Sequence, residues 1–152
     1  FDAAQASASP VIVQITPAAR NYAHPAMLLK IVEAAATIFP ETVYAIHLDH
    51  GNEEHIHIAL TEGYHSVMID ASHDAFETNI ARTHAVVSKA QPLGIQVEAE
   101  LGVLSGVEDD MDIDAQHARF TDPAQALAYV RRGRPCASVD MSPRCDCSDG
   151  GR

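Results

Sequence analysis

The sequence predicts an α/β fold with a parallel sheet, more narrowly a partial (β/α)8 barrel (TIM barrel) holding about strands two to five with their helices. Three observations lead there. Apolar strand candidates at 11–16, 43–49, 66–71 and 95–101 start 23 to 32 residues apart, each followed by a helix-like segment. No glycine-rich turn follows the first strand, where an open-sheet nucleotide binder would carry one; Thr16-Pro17-Ala18-Ala19 stands there instead. Acidic and histidine side chains close several different strands, as at the mouth of a barrel: Asp49 and His50, Asp70, and Glu100.

Each element has its own signal. After VIVQIT at 11–16, Leu28, Ile31, Val32, Ala35 and Ile38 recur at helical spacing until Pro40 stops them. The next strand is Val43, Tyr44, Ala45, Ile46 and Leu48, broken by Gly51-Asn52. A short helix over 53–62 follows, with Gly63 as its expected C-terminal cap. Beyond SVMIDA at 66–71, Phe76, Ile80, His84 and Val87 mark one helix face that ends before Pro92 and Gly94. In IQVEAEL at 95–101, Glu98 and Glu100 alternate with Val97, Ala99 and Leu101 and so share a strand face. An acidic loop comes next, and Asp122-Pro123, an N-cap and N1 pair, opens a last helix through Tyr129.

A whole barrel needs about 250 residues, and 152 are present, so about half of one is expected. Phe1 is not an initiator Met, and FDAAQASASP reads as the inside of a helix, so the chain is expected to be cut at its front. The barrel domain is placed at 1–130. Residues 131–152, ending in RCDCSDGGR, show no strand pattern and are expected to form a non-native or disordered tail.

Composition narrows the function. A formal charge of -11 argues against a general nucleic-acid binder. No apolar run approaches a membrane span, so neither membrane nor nucleic acid is an expected partner. Cys136, Cys145 and Cys147 all fall after residue 135, so no disulfide framework supports the main fold and a cytoplasmic setting is expected.

The strand ends carry the chemistry. In a parallel barrel they converge on one mouth, and Asp49, Asp70 and Glu100 would repel one another there unless a cation sat among them. Imidazole with carboxylate suits zinc or a similar borderline ion. Such an ion acts as a Lewis acid on a carbonyl while a nearby carboxylate moves a proton. Those are the two parts needed to make or break a C–C bond beside a ketone.

Four blocks in this order resemble the class II, metal-dependent fructose-bisphosphate aldolases, a family that includes tagatose-bisphosphate aldolases. They are HLDHG at 47–51, GYHSVMIDASHDAFETNIART at 63–83, VEAELGVLSGVEDD at 97–110, and FTDPAQALAYV at 120–130. The resemblance implies a (β/α)8 barrel, homodimeric or homotetrameric in the parent protein. It also implies reversible, zinc-dependent cleavage of fructose 1,6-bisphosphate to glycerone phosphate and glyceraldehyde 3-phosphate. By the same resemblance Asp49 matches the acid/base at the substrate C4 hydroxyl, and His50 matches one of three zinc histidines. Asp70 and Glu100 match carboxylates that support the metal or hold a second divalent or monovalent cation. Thr16 matches, more loosely, a Ser near the substrate phosphate. The family's other two zinc histidines lie in glycine-rich motifs, one like GTSHG, that this sequence lacks. Weak zinc binding and little activity are therefore expected of this chain, and a non-catalytic fragment is the rival from another class.

Other motifs read as bland. His55-x-His57 imitates the HxH pair of amidohydrolase-type barrels, but it falls inside a helix, where residues two apart face different ways. His24, His65, His73, His84 and His117 are expected to be solvated or structural, with His73 near enough to Asp70 to approach the site. His47 shares its strand face with Asp49 and is expected inside the barrel. Cys145-Asp146-Cys147 lacks a second ligand pair. The acidic run Glu108-Asp109-Asp110 with Asp112 and Asp114 lacks the glycine and glutamate of a calcium loop and reads as solvated.

Overall fold

In the computed structural model, which describes residues 1–102, 106–108, 111–113, 121–133 and 137–139, strand and helix alternate along most of the chain. Helix α1 (Asp2–Ala6) leads into β1 (Val11–Ile15), followed by α2 (Pro17–Ala23) and α3 (Pro25–Ile38). Then come β2 (Tyr44–Gly51), α4 (Glu53–Ala59), β3 (Ser66–Ile69), α5 (Phe76–Ala90) and β4 (Gln96–Ala99). A hairpin of β5 (Gly106–Glu108) and β6 (Met111–Ile113) precedes α6 (Pro123–Gly133) and β7 (Ala137–Val139).

β1, β2, β3, β4 and β7 form one sheet in that spatial order, and every neighbouring pair is parallel. A doubly wound sheet reverses its strand order so that helices cover both faces. Here the order never reverses, and right-handed crossovers laid down in one direction put the helices on a single face. That face holds the core, where Ile46, Leu48, Val67, Ile69, Val97 and Ala99 meet Val32, Ile56, Ile80, Val86, Val87 and Tyr129. The other face carries Gln14, His47, Ser66 and Glu98, and Ile12 on it is 66% exposed. It is the face that a closed barrel turns inward.

Local chemistry fixes the helix starts. Thr16 accepts the Ala19 amide at 3.2 Å ahead of Pro17, and Asn52 accepts the His55 amide at 2.9 Å ahead of Glu53 and Glu54. Asp122 does the same for Ala124 at 2.8 Å before Pro123. Gly63 has a φ of +89°, a left-handed turn that a side chain would strain.

Four elements differ from the sequence expectation. α2, seven residues long, is too short to show a period; its cue is the Thr16-Pro17 pair. β5 and β6 give backbone pairing to Glu108 and Asp112, which were expected in a loop, while Asp109, Asp110 and Asp114 lie outside the described residues. Most importantly, a strand does follow the last helix. α6 continues through Gly133, and Ala137–Val139 pairs parallel with β4, so these residues of the expected tail belong to the sheet. His117, Cys136, Cys145, Cys147 and the remainder, 140–152, lie outside the described residues.

α6 is held by a buried side chain. Tyr129 is fully buried, and its hydroxyl pKa is pushed up to about 12 by burial, against the Thr83 hydrogen bond and with help from the Asp70 charge. The folded value lies above the ordinary tyrosine value of 10.0, so the fold favours the neutral phenol. That stabilisation is complete below pH 10 and is lost as pH rises to about 12, some ~2–3 kcal/mol in all. Urea midpoints measured from pH 8 to 11 are expected to fall more steeply for the parent chain than for Tyr129→Phe. Parallel declines would show that this phenol does not sense the fold.

Candidate metal centre

The site depends on an irregularity at the end of β2. Leu48 pairs with Val67 and Gly51 with Ile69, so three steps along β2 match two along β3. Within this bulge His50 has a φ of +51°. A regular strand would send Asp49 and His50 to opposite faces. The bulge instead lets both border the mouth, with Asp49 Oδ1 3.8 Å from His50 Nε2. A left-handed backbone costs a non-glycine residue about 1–2 kcal/mol, though histidine adopts it more readily than most. Gly51 is needed for space: a Cβ there would stand 2.6 Å from Leu48 Cδ2 and 3.0 Å from Ile56 Cγ1, both in the core.

β3 and β4 supply the carboxylates. Asp70 follows β3 directly, and its Oδ1 accepts the Ser72 amide at 2.9 Å in a tight turn. Its Oδ2 stays toward the mouth, 3.9 Å from His50 Nδ1 and 3.6 Å from His73 Nε2. Glu100 follows β4, with its carbonyl held by the Asn79 amide at 2.9 Å. One ligand atom each from His50, Asp70 and Glu100 can be chosen so that all lie within 4.8 Å of one another. The ion-pair separations around His50 exceed hydrogen-bond length. One imidazole and two carboxylates converging in this way fit a divalent cation of zinc or a similar type.

Beneath this layer lies a second one. His47, 3% exposed, has Nδ1 2.7 Å from Ser66 Oγ and Nε2 3.5 Å from Glu98 Oε2. Burial above all holds its pKa below the ordinary value, with Asp49 opposing and His50 adding, so the ring is neutral near pH 7. Nδ1 and the Ser66 hydroxyl share one proton, and Nε2 faces Glu98. His47 therefore lines the interior face, as its alternation with Asp49 predicts.

The other expectations fall out unevenly. Thr16 lies at the same end of the sheet, with its hydroxyl engaged in capping α2. His55 and His57 sit on α4, and His57 faces a groove of about 440 Å³ between α4 and α5. Neither closes a strand. The buried Asn79, Thr83 and Tyr129, which back Glu100 from the helix layer, carried no signal in the sequence beyond helical periodicity.

A parallel β/α sheet wound in one direction, with imidazole and carboxylates gathered at its C-terminal strand ends, is the architecture of an α/β-barrel enzyme. Comparison with known proteins narrows the class. The family profile described as Fructose-bisphosphate aldolase class-II matches residues 1–141. A fructose-bisphosphate aldolase of Thermus caldophilus is 40% identical over 133 residues, covering 87% of this chain and 43% of the relative. The D-tagatose-1,6-bisphosphate aldolase subunit GatY of Klebsiella oxytoca is 40% identical over 125 residues, covering 82% and 44%. Among solved structures, the YdjI aldolase of Escherichia coli K12 superposes with a TM-score of 0.70 at 36% identity, covering 87% of this chain and 48% of that one. The chain thus belongs to the class II fructose-bisphosphate aldolase family, and it spans less than half the length of the curated relatives it matches.

Proposed function

We propose that this chain carries the proton-transfer and part of the metal-binding apparatus of a class II aldolase acting on a phosphorylated ketose. The observation that supports this most is the convergence of His50, Asp70 and Glu100 within 4.8 Å, beside Asp49. In this reading His50, Asp70 and Glu100 hold zinc, and a second cation fits the same carboxylates. When bound, zinc supplies a Lewis acid for the ketose carbonyl. Asp49, partly exposed at the mouth, takes the proton from the C4 hydroxyl during cleavage and returns it in the reverse direction. Thr16, at the end of β1, would stand toward the phosphate. Breaking the C3–C4 bond and returning a proton to C3 yields glycerone phosphate and glyceraldehyde 3-phosphate from fructose 1,6-bisphosphate. The likeness to GatY supports tagatose 1,6-bisphosphate as the alternative substrate.

The parent protein is proposed to work in the cytoplasm as a homodimer or homotetramer. The lack of cysteine before Cys136 agrees with a reducing compartment, and no helix among the described residues is long and apolar enough to cross a membrane. Triose phosphate release from each bisphosphate, with zinc and then with a chelator, tests the chemistry. Slow, chelator-sensitive release that disappears in Asp49→Asn is expected. Release that survives chelation, or an Asp49→Asn chain as active as the parent, refutes the reading. Bound zinc with no release at all would favour the non-catalytic fragment.

A further inference from the structure

Behind the site, on the helix side of β4, lies a polar cluster that the proposed chemistry does not use. Asn79 on α5 is 1% exposed and donates from Nδ2 to the Glu100 carbonyl at 2.9 Å. Its Oδ1 accepts from the Tyr129 hydroxyl at 2.8 Å and lies 3.3 Å from Thr83 Oγ1. The two hydroxyls are 2.5 Å apart, and both residues are fully buried. One residue further along the chain, Thr121 just ahead of α6 donates its hydroxyl to the Leu101 carbonyl at 2.6 Å. Two successive carbonyls past the end of β4 are thus held by side chains from α5 and from the entry to α6.

We propose that Asn79, oriented by Tyr129 and Thr83, is a positioning residue that fixes the main chain of Glu100 and so aims its carboxylate at His50 and Asp70. This rests on the reading of those three residues as cation ligands. Burying three polar side chains behind a strand end is a costly way to pack α5 against α6, since apolar residues of similar volume would serve there. The geometry accounts for each of them. A carboxamide offers a donor for the Glu100 carbonyl and an acceptor for the Tyr129 hydroxyl on one rigid plane, while Thr83, 2.5 Å from that hydroxyl, donates its single proton to it. The Tyr129 hydroxyl, itself satisfied by Thr83, decides which way that plane faces, because Oδ1 must turn toward its proton and Nδ2 then points at Glu100. Tyr129 belongs to α6, so the seating of that helix becomes part of the metal centre. The Arg132–Glu77 pair, at 2.7 Å for Nη1 to Oε1, adds a second tie between the two helices on their exposed side.

The test titrates zinc alone into the full chain and its variants, by competition with a chromophoric chelator, alongside urea unfolding without metal. Asn79→Leu is expected to weaken zinc about tenfold to hundredfold, the range for residues that orient a ligand. Tyr129→Phe, which keeps the packing, is expected to weaken it about threefold or more. Val86→Ala, on α5 but outside the cluster, is expected to lose stability with unchanged affinity. Parent-like affinity in Tyr129→Phe and in any folded Asn79 variant overturns the proposal, as does an equal loss in Val86→Ala. If the parent binds no zinc, it is the metal reading that falls. Positioning is then decided by metal-free NMR: Tyr129→Phe is expected to shift the Glu100 carbonyl and the His50 imidazole, and shifts confined to α5 and α6 overturn it.

Discussion

Glu62→Ala is expected to remove about 3 kcal/mol of stability, although Glu62 is not one of the candidate ligands. The reason is Arg20 on α2, whose side chain is 3% exposed. Its Nη1 donates to Glu62 Oε2 at 2.9 Å and to the Tyr64 hydroxyl at 2.8 Å, and its Cζ stands 5.5 Å from the centre of the Tyr64 ring. Its Nε is buried without a hydrogen-bond partner among the described residues. Removing the carboxylate leaves a guanidinium out of water with a phenol and a ring face to balance it, which typically costs 3–5 kcal/mol. Glu62 is 26% exposed, so some water enters and the lower end of that range applies. Arg20→Met removes the charge that needs a partner and is expected to cost about 1 kcal/mol or less. Combined with Glu62→Ala it should recover most of the loss. Urea midpoints at pH 7 measure all three. A Glu62→Ala chain within about 1 kcal/mol of the parent would mean that water already reaches the guanidinium.

How far the sequence foretold this molecule varies from element to element. The four apolar runs with their following helices were legible because a strand buried on its helix side must be apolar and because Pro and Gly mark its limits. β7 was not, since Ala137-Ser138-Val139 is three residues long and gains its strand character by pairing with β4. Arg20 shows the same limit: within PAARNYA nothing separates a buried arginine from a solvated one, because Glu62 and Tyr64 meet it only through the fold. In the candidate site, Asp49, Asp70 and Glu100 could be named because strand ends of a parallel sheet share one side. The direction in which His50 points could not, since alternation alone turns it away from Asp49 and only the bulge brings it back. Asn79 and Tyr129 stayed hidden for a different reason. Each occupies a helix position facing the core, where periodicity predicts an apolar residue, and their polarity makes sense only against the Glu100 carbonyl.

The bulge also separates the roles of two adjacent residues. His50→Ala is expected to weaken zinc by at least about a hundredfold, more than the loss of a residue that merely orients a ligand. It removes the imidazole from a set of three converging donors, and the weak binding expected of the parent leaves little in reserve. Asp49→Asn removes a charge that is 23% exposed and stands outside that set. Unit charges screened by water interact by about 1 kcal/mol at 4 Å, and a divalent ion by about twice that, so a loss of roughly fivefold to thirtyfold is expected. Triose phosphate release should show the opposite order once zinc is made saturating. Asp49→Asn then lacks the group that moves the proton, whereas excess metal restores occupancy to His50→Ala in part. If Asp49→Asn lost as much zinc affinity as His50→Ala, Asp49 would be a ligand. No carboxylate at this strand end would then be left for the C4 hydroxyl, and the proposed division between binding and proton transfer would fail.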